Sequence, residues 1–228
     1  MIFNQLFDDK SSTYTYIISS GKGREALIID PVIEHTKKYI KILQDLELKL
    51  VKVIDTHIHA DHISGLNELN KQTECTRVMG EESESEVIDL RVKENEKVKI
   101  EEVELTTLYT PGHTKCSYSY LMNDRVFTGD TLLINGSGRT DFQGGSAMEQ
   151  YDSIFGKLLK LPNKTLVYPA HDYNGNRVSS IGEQKKNNPR LQVNSAEQYA
   201  EIMNNLNLAN PKMMDIAVPA NIKGEHIR

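Results

Sequence analysis

Cysteine is scarce in this chain. Its 228 residues include two, Cys75 and Cys116, which could make one bridge at most. A fold held by disulfides is therefore excluded. Each free thiol reads first as a small buried hydrophobe, Cys116 included although it lies three residues after His113. Basic clusters are missing too: Lys and Arg number 27 against 32 Asp and Glu, a formal charge of −5. That excludes binding nucleic acid through its phosphates. No apolar run approaches the roughly 18 residues of a membrane span. The opening residues 1–8 have neither the basic flank nor the apolar length of a secretion signal, which makes the cytoplasm the expected compartment. With no internal repeat, low-complexity tract or linker, residues 1–228 are expected to form one domain.

What the chain does have is core material, with 38% of its residues hydrophobic. Tyr14–Ile18 is β-branched and aromatic, and Ala26–Asp30 is a short apolar run closed by Pro31, so both predict strands separated by a turn at Gly21 and Gly23. Tyr39, Ile42, Leu43 and Leu46 fall on one helical face, with Lys37, Lys38, Lys41 and Asp45 opposite. Leu50–Asp55 then predicts another buried strand. Strand, helix, strand is the signature of an α/β layer. The Glu- and Lys-rich stretch 81–104 still alternates at Val98, Ile100, Val103 and Leu105, which predicts half-exposed strands. Strands follow over 105–109, 117–122, 126–128 and 165–168. A helix is predicted over 147–160, and the tail from Arg177 reads as mainly helical as far as Asn210 and Pro211.

The chemistry is concentrated at strand ends. Directly after the strand closing at Asp55 come Thr56-His57-Ile58-His59-Ala60-Asp61-His62, four potential metal ligands within six residues. Imidazole nitrogen with carboxylate oxygen suits zinc, iron or manganese, whereas calcium takes oxygen alone. His113 follows in a Pro-Gly turn (Thr110–Thr114), Asp130 in Phe127–Thr131 and His171 in Tyr168–Tyr173, each after a predicted strand. Any one of these alone reads as structural. Seven donors at strand ends imply a single site along one edge of the sheets.

The His-x-His-x-Asp-His cluster, followed in order by His113, Asp130 and His171, resembles the metallo-β-lactamase superfamily over nearly the whole chain. That resemblance implies an α/β fold, a four-layer αββα sandwich with metal at one edge, and leaves the reaction open. Four further segments are similar to the persulfide dioxygenase (sulfur dioxygenase) group: Thr56–Gly65, Phe127–Gln143, Tyr168–Asn174 and Asn188–Leu191, with the tail Asn210–Asn221. The resemblance implies an iron oxidoreductase of sulfide oxidation. One Fe(II) per chain and O2 as co-substrate would oxidise glutathione persulfide to sulfite and glutathione. It places the iron ligands on His57, His113 and Asp130, which leaves three positions open. His59, Asp61, His62 and His171 become either supporting groups behind these ligands or donors for a second metal.

For the substrate, Arg139 and Arg190 are assigned to the glutathione carboxylates, which arginine grips in a bidentate fork. Tyr173 is placed near the sulfur, with Arg177 also close by. Relatives of this kind often form homodimers, and a rhodanese-type sulfurtransferase is a possible persulfide donor. The principal alternative is a glyoxalase II-type hydroxyacylglutathione thiolesterase with a dinuclear site. It requires the same seven donors but a longer helical region than residues 172–228 provide. A non-catalytic sensor would instead saturate its metal with protein ligands.

Overall fold

The computed structural model describes residues 1–225, and their contacts divide into two compact units. The first comprises Met1–Val92, Lys97–Leu105 and the segment from Asn210; the second comprises Lys93–Glu96 and Thr106–Ala209.

In the first unit, six strands lie side by side in chain order: β1 (Ile2–Asp8), β2 (Thr13–Ser19), β3 (Glu25–Ile29), β4 (Lys49–Ile54), β5 (Thr76–Gly80) and β6 (Leu90–Val92). The first three run antiparallel, and β3 to β6 are parallel. Parallel neighbours need crossovers, supplied by α1 (Thr36–Asp45) between β3 and β4 and α2 (Leu66–Thr73) between β4 and β5. On α1 the buried positions Tyr39 and Leu43 are one turn apart. The Tyr39 hydroxyl lies 2.9 Å from Thr15 Oγ and accepts Val32 N–H at 3.2 Å, which pins the helix to β2. Burying a side chain of this size contributes about 1.5–3 kcal/mol.

A second sheet takes β7 (Lys97–Ile100), β8 (Val103–Tyr109), β9 (Tyr118–Leu121), β10 (Arg125–Gly129), β11 (Leu166–Pro169) and the two-residue β12 (Ser179–Ser180), adjacent in that order. In the second unit β10 and β11 run parallel, whereas β8 with β9, β9 with β10 and β11 with β12 pair antiparallel. Their crossover is the helix expected over 147–160, but its pitch changes twice: α3 (Ala147–Tyr151) opens into a π-helix (Asp152–Lys157) and then tightens into a 3₁₀ turn (Leu158–Lys160). After β12, Ser180 and Glu183 form a reciprocal cap on α4 (Ile181–Asn187), and Ser195 caps α5 (Ala196–Asn204). Val126, Ile154, Leu158, Val167, Ile181 and Tyr199 belong to this unit's core.

The chain ends in the first unit with α6 (Met214–Lys223), beyond the expected helical limit at Pro211 and with Pro219 inside it. Buried Ala217 and Ala220 hold it in place despite the proline. No helix among the described residues is long and apolar enough to cross a membrane.

Candidate metal centre

In the first unit, Asp30 and Asp55 leave the C-terminal ends of neighbouring parallel strands, β3 and β4, paired at Ile29 and Ile54. Both carboxylates are buried. Asp30 has φ +50°, a left-handed conformation that strains a residue carrying a side chain. The strain aims its carboxylate inward. Oδ1 accepts Thr56 N–H at 2.7 Å and lies 3.2 Å from His59 Nε2, while Oδ2 accepts the Thr56 hydroxyl at 3.0 Å. Having donated its proton to Asp30, that hydroxyl accepts Nδ1–H of His57 at 2.9 Å. The tautomer so fixed leaves Nε2 of His57 with the lone pair a metal needs.

The rings of His57 and His59 lie 4.3 Å apart, and those of His59 and His62 4.4 Å. Ligand atoms of His59, Asp61 and His62 all fall within 4.8 Å of one another. His62 Nδ1 is 3.0 Å from Asp61 Oδ2. Burial works against a charge on His59, but Asp30, through attraction and its hydrogen bond, and then Asp55 and Asp61 outweigh it and raise the imidazole pKa to about 9. Any metal taking His59 must displace that proton. Burial foremost pushes Asp55 up to about 7; His59 opposes this and Asp30 adds to it.

Sequence reasoning missed the clamp on this turn. Asn221 of α6 donates through Nδ2 to the carbonyls of His59 (2.9 Å) and His62 (3.0 Å), and its Oδ1 accepts Ser64 N–H at 2.8 Å. Asp30 and Thr56 were missed too, although an acid closing each of two apolar runs, at Asp30 and Asp55, was a signal in plain view.

The second unit repeats the device. β10 and β11 are parallel, their register shifts between Phe127 and Gly129, and Ala170 N–H donates to Gly129 O at 2.9 Å. Asp130 and His171 therefore leave the sheet side by side, with His171 Nδ1 2.6 Å from Asp130 Oδ1. The other oxygen, Oδ2, lies 3.5 Å from His113 Nε2. His113 donates Nδ1–H to the carbonyl of Arg139 at 2.7 Å, so in the neutral ring Nε2 carries the lone pair. An imidazole lone pair turned towards a carboxylate oxygen is a setting that a cation between them stabilises.

Two glycines make this packing possible. A Cβ on Gly112, whose φ is +128°, would come within 2.3 Å of Gln150 backbone nitrogen. One on Gly138 would lie 2.3 Å from Asp130 O and 2.7 Å from His113 Nδ1.

The residues assigned to substrate differ in how far the protein already uses them. Arg139 gives Nε and Nη2 to Asp141, both at 2.6 Å, and Nη1 to Ala209 O at 2.7 Å, with its guanidinium 4.7 Å above the Phe142 ring. An incoming carboxylate has to compete with Asp141. Arg190 is different: its Nη1 bonds the carbonyl and the hydroxyl of Ser137, and no carboxylate among the described residues pairs with it. Burial lowers its pKa. Tyr173 is 71% exposed and stacks on His171 at 6.2 Å. Its loop is shaped by buried Asp172, which accepts the N–H groups of Asn174 (2.9 Å) and Asn176 (2.8 Å). Arg177 is exposed. Cys75 and Cys116 are buried thiols, Cys116 Sγ lying 3.4 Å from Thr114 Oγ1, and burial pushes the Cys75 thiol up.

The family model of the metallo-beta-lactamase superfamily matches residues 8–171, and the fold is the α/β metallo-β-lactamase fold of mixed sheets with flanking helices. Persulfide dioxygenase ETHE1, mitochondrial, from Mus musculus is 42% identical over 230 residues, covering 98% of this chain and 88% of that protein. The crystal structure of ETHE1 from Myxococcus xanthus matches with a TM-score of 0.96 and 47% identity, covering 99% of this chain and all (100%) of that one. A probable hydroxyacylglutathione hydrolase from Schizosaccharomyces pombe is 34% identical over 171 residues, which span 72% of this chain and 66% of that protein. Within the superfamily, this chain belongs to the persulfide dioxygenase family.

Proposed function

We propose that this protein oxidises glutathione persulfide with dioxygen, yielding sulfite and glutathione, at one ferrous ion per chain held by His57, His113 and Asp130. The likeness to persulfide dioxygenases along nearly the whole chain carries this reading. The donor chemistry supports it: two imidazoles whose Nδ1–H groups are already engaged, and a carboxylate with one oxygen bonded to His171. The ferrous ion supplies activation of dioxygen.

The remaining work falls to side chains of this sequence. Thr56 and the Arg139 carbonyl hold His57 and His113 in the tautomer that presents Nε2. Arg190, a half-buried cation with no carboxylate partner among the described residues, takes a carboxylate of glutathione. Arg139 adds a second grip once substrate replaces Asp141, and Tyr173 brings its hydroxyl to the sulfur. His59, Asp61 and His62 support the ligands from behind. A reducing compartment, the cytoplasm, suits the two buried thiols. A homodimer and a rhodanese-type persulfide donor complete the reading.

The clustering of His59, Asp61 and His62 favours a second reading, a dinuclear thiolesterase, to which the shorter likeness to the S. pombe hydrolase also belongs. An oxygen electrode separates the two. Iron-loaded protein given glutathione persulfide should consume oxygen and release sulfite in equal amounts, and glutathione alone should give neither. Hydrolysis of a hydroxyacylglutathione thioester without oxygen uptake would overturn the dioxygenase.

A further inference from the structure

Behind His113 runs a chain of buried polar groups whose donors all point the same way. Arg190 Nη1 donates to Ser137 Oγ at 3.2 Å. Tyr199 O–H donates to Gln150 Oε1 at 2.7 Å, so the 2.9 Å contact between the Tyr199 and Ser137 hydroxyls has Ser137 as donor. Gln150 Nε2 in turn donates to the Gly138 carbonyl at 3.1 Å. One residue on, the Arg139 carbonyl accepts Nδ1–H of His113, and Gly138 N–H itself donates to Asp130 O at 2.7 Å. Side chains from α3 and α5 thus grip the strap 137–139 that touches both His113 and Asp130.

Gln150 and Tyr199 are each wholly buried, at 0% exposure. A hydrogen-bonded amide and phenol there are costly to leave half-satisfied, and bonds running in one direction polarise and strengthen one another. Burial, opposed by Ser137 and Arg190, pushes the Tyr199 phenol up to about 12, so it remains a donor. Packing does not require this polarity. Tyr199 already lies among the rings of Tyr151 and Phe155, where a phenylalanine would fit.

We propose that Gln150 and Tyr199 are positioning residues for the metal centre: by holding the strap 137–139 they set the carbonyl that fixes the rotation and tautomer of His113, and they couple that setting to Arg190. This rests on the reading of His113 as a metal ligand. Loss of either side chain lets the strap shift and turns the imidazole away from the metal.

The test uses Tyr199→Phe and the near-isosteric Gln150→Glu, which keeps the acceptor for Tyr199 and removes the donor to Gly138. Co(II) serves as the probe, added to metal-free full-length protein, with affinity and the d–d absorption band as readouts. Each variant should bind Co(II) about 10–100-fold more weakly, the usual effect of losing a partner behind a ligand, and with a shifted band. A Tyr199→Phe protein with parental affinity and spectrum, whatever its melting temperature, would show a purely structural role and overturn the proposal. His113→Ala run alongside should lose Co(II) affinity. If it binds like the parent, both the ligand assignment and the inference fail, and that failure is recognisable because it lies in His113 itself. No substrate enters the measurement, so absence of oxygenase activity does not affect its outcome.

Discussion

Gly138→Ala is the substitution whose consequence follows most directly from the packing around the strap 137–139. The new Cβ would lie 2.3 Å from Asp130 O and 2.7 and 2.8 Å from Nδ1 and Cγ of His113, where ordinary contact begins at 3.4 Å. The strap must therefore retreat by about 1 Å from rigid neighbours, an overpacking that costs about 1–3 kcal/mol. The retreat also stretches two hydrogen bonds of 2.7 Å, Gly138 N–H to Asp130 O and His113 Nδ1–H to Arg139 O, at about 1 kcal/mol each. The sum, about 3–5 kcal/mol, corresponds to a melting temperature lower by roughly 6–20 °C for a chain of this size. Metal affinity should fall by about 10–100-fold because the partner holding His113 moves. Differential scanning calorimetry on metal-free protein and a Co(II) titration measure the two effects separately. Gly156→Ala is the control: nothing lies within 4 Å of its Cβ and the position is helical, so it should melt at or slightly above the parent. A Gly138→Ala protein that melts within 2 °C of the parent and binds metal as tightly would refute the packing argument.

Three further outcomes are expected. Because the imidazole of His59 is raised to about 9 from its ordinary 6.5, the folded state holds that proton more tightly; the stabilisation is full below 6.5 and is lost as pH rises to about 9. Metal-free protein should thus melt lower at pH 9 than at pH 6.5, Asp30→Asn should flatten the slope, and a parental melting temperature that rises across this window contradicts the assignment. Arg190→Ala should raise KM for glutathione persulfide about 10–100-fold, the worth of a charged hydrogen bond, and an unchanged KM in steady-state oxygen uptake removes Arg190 from the binding site. Asn221→Ala deletes three bonds to the His59–Ser64 turn, about 3 kcal/mol, and should lower the melting temperature by roughly 6–12 °C; a shift under 2 °C means the clamp is idle.

Much of this architecture is legible in the residues. The apolar, β-branched runs that become β2, β3 and β4 and the helical stripe Tyr39, Leu43 are visible as segments meant for burial, and the seven donors stand out because they follow strand ends. The rest depends on partners far along the chain. β5 (Thr76–Gly80) is too short and polar at its start to stand out, and α6 forms around Pro219 only because Ala217 and Ala220 are buried. The supporting groups are the least visible. Asp30 acts through a left-handed backbone, Asn221 reaches the His59–Ser64 turn from α6, and Gln150 and Tyr199 read as ordinary helix residues until the strap is seen against them. Arg139 shows the converse: its guanidinium fork beside the metal-bearing segments suggested a carboxylate grip, and in the structure that guanidinium holds Asp141 while its backbone carbonyl supports His113.

The proposed site is a single ferrous ion held by His57, His113 and Asp130. Elemental analysis of anaerobically purified protein, combined with Mössbauer spectroscopy of iron-57-enriched samples, tests it most directly. About one iron per chain is expected, in a single high-spin ferrous environment, lost when His113 or Asp130 is replaced by alanine. Two metal ions per chain, coupled through a bridging hydroxide and retained by His59, Asp61 and His62, would contradict it.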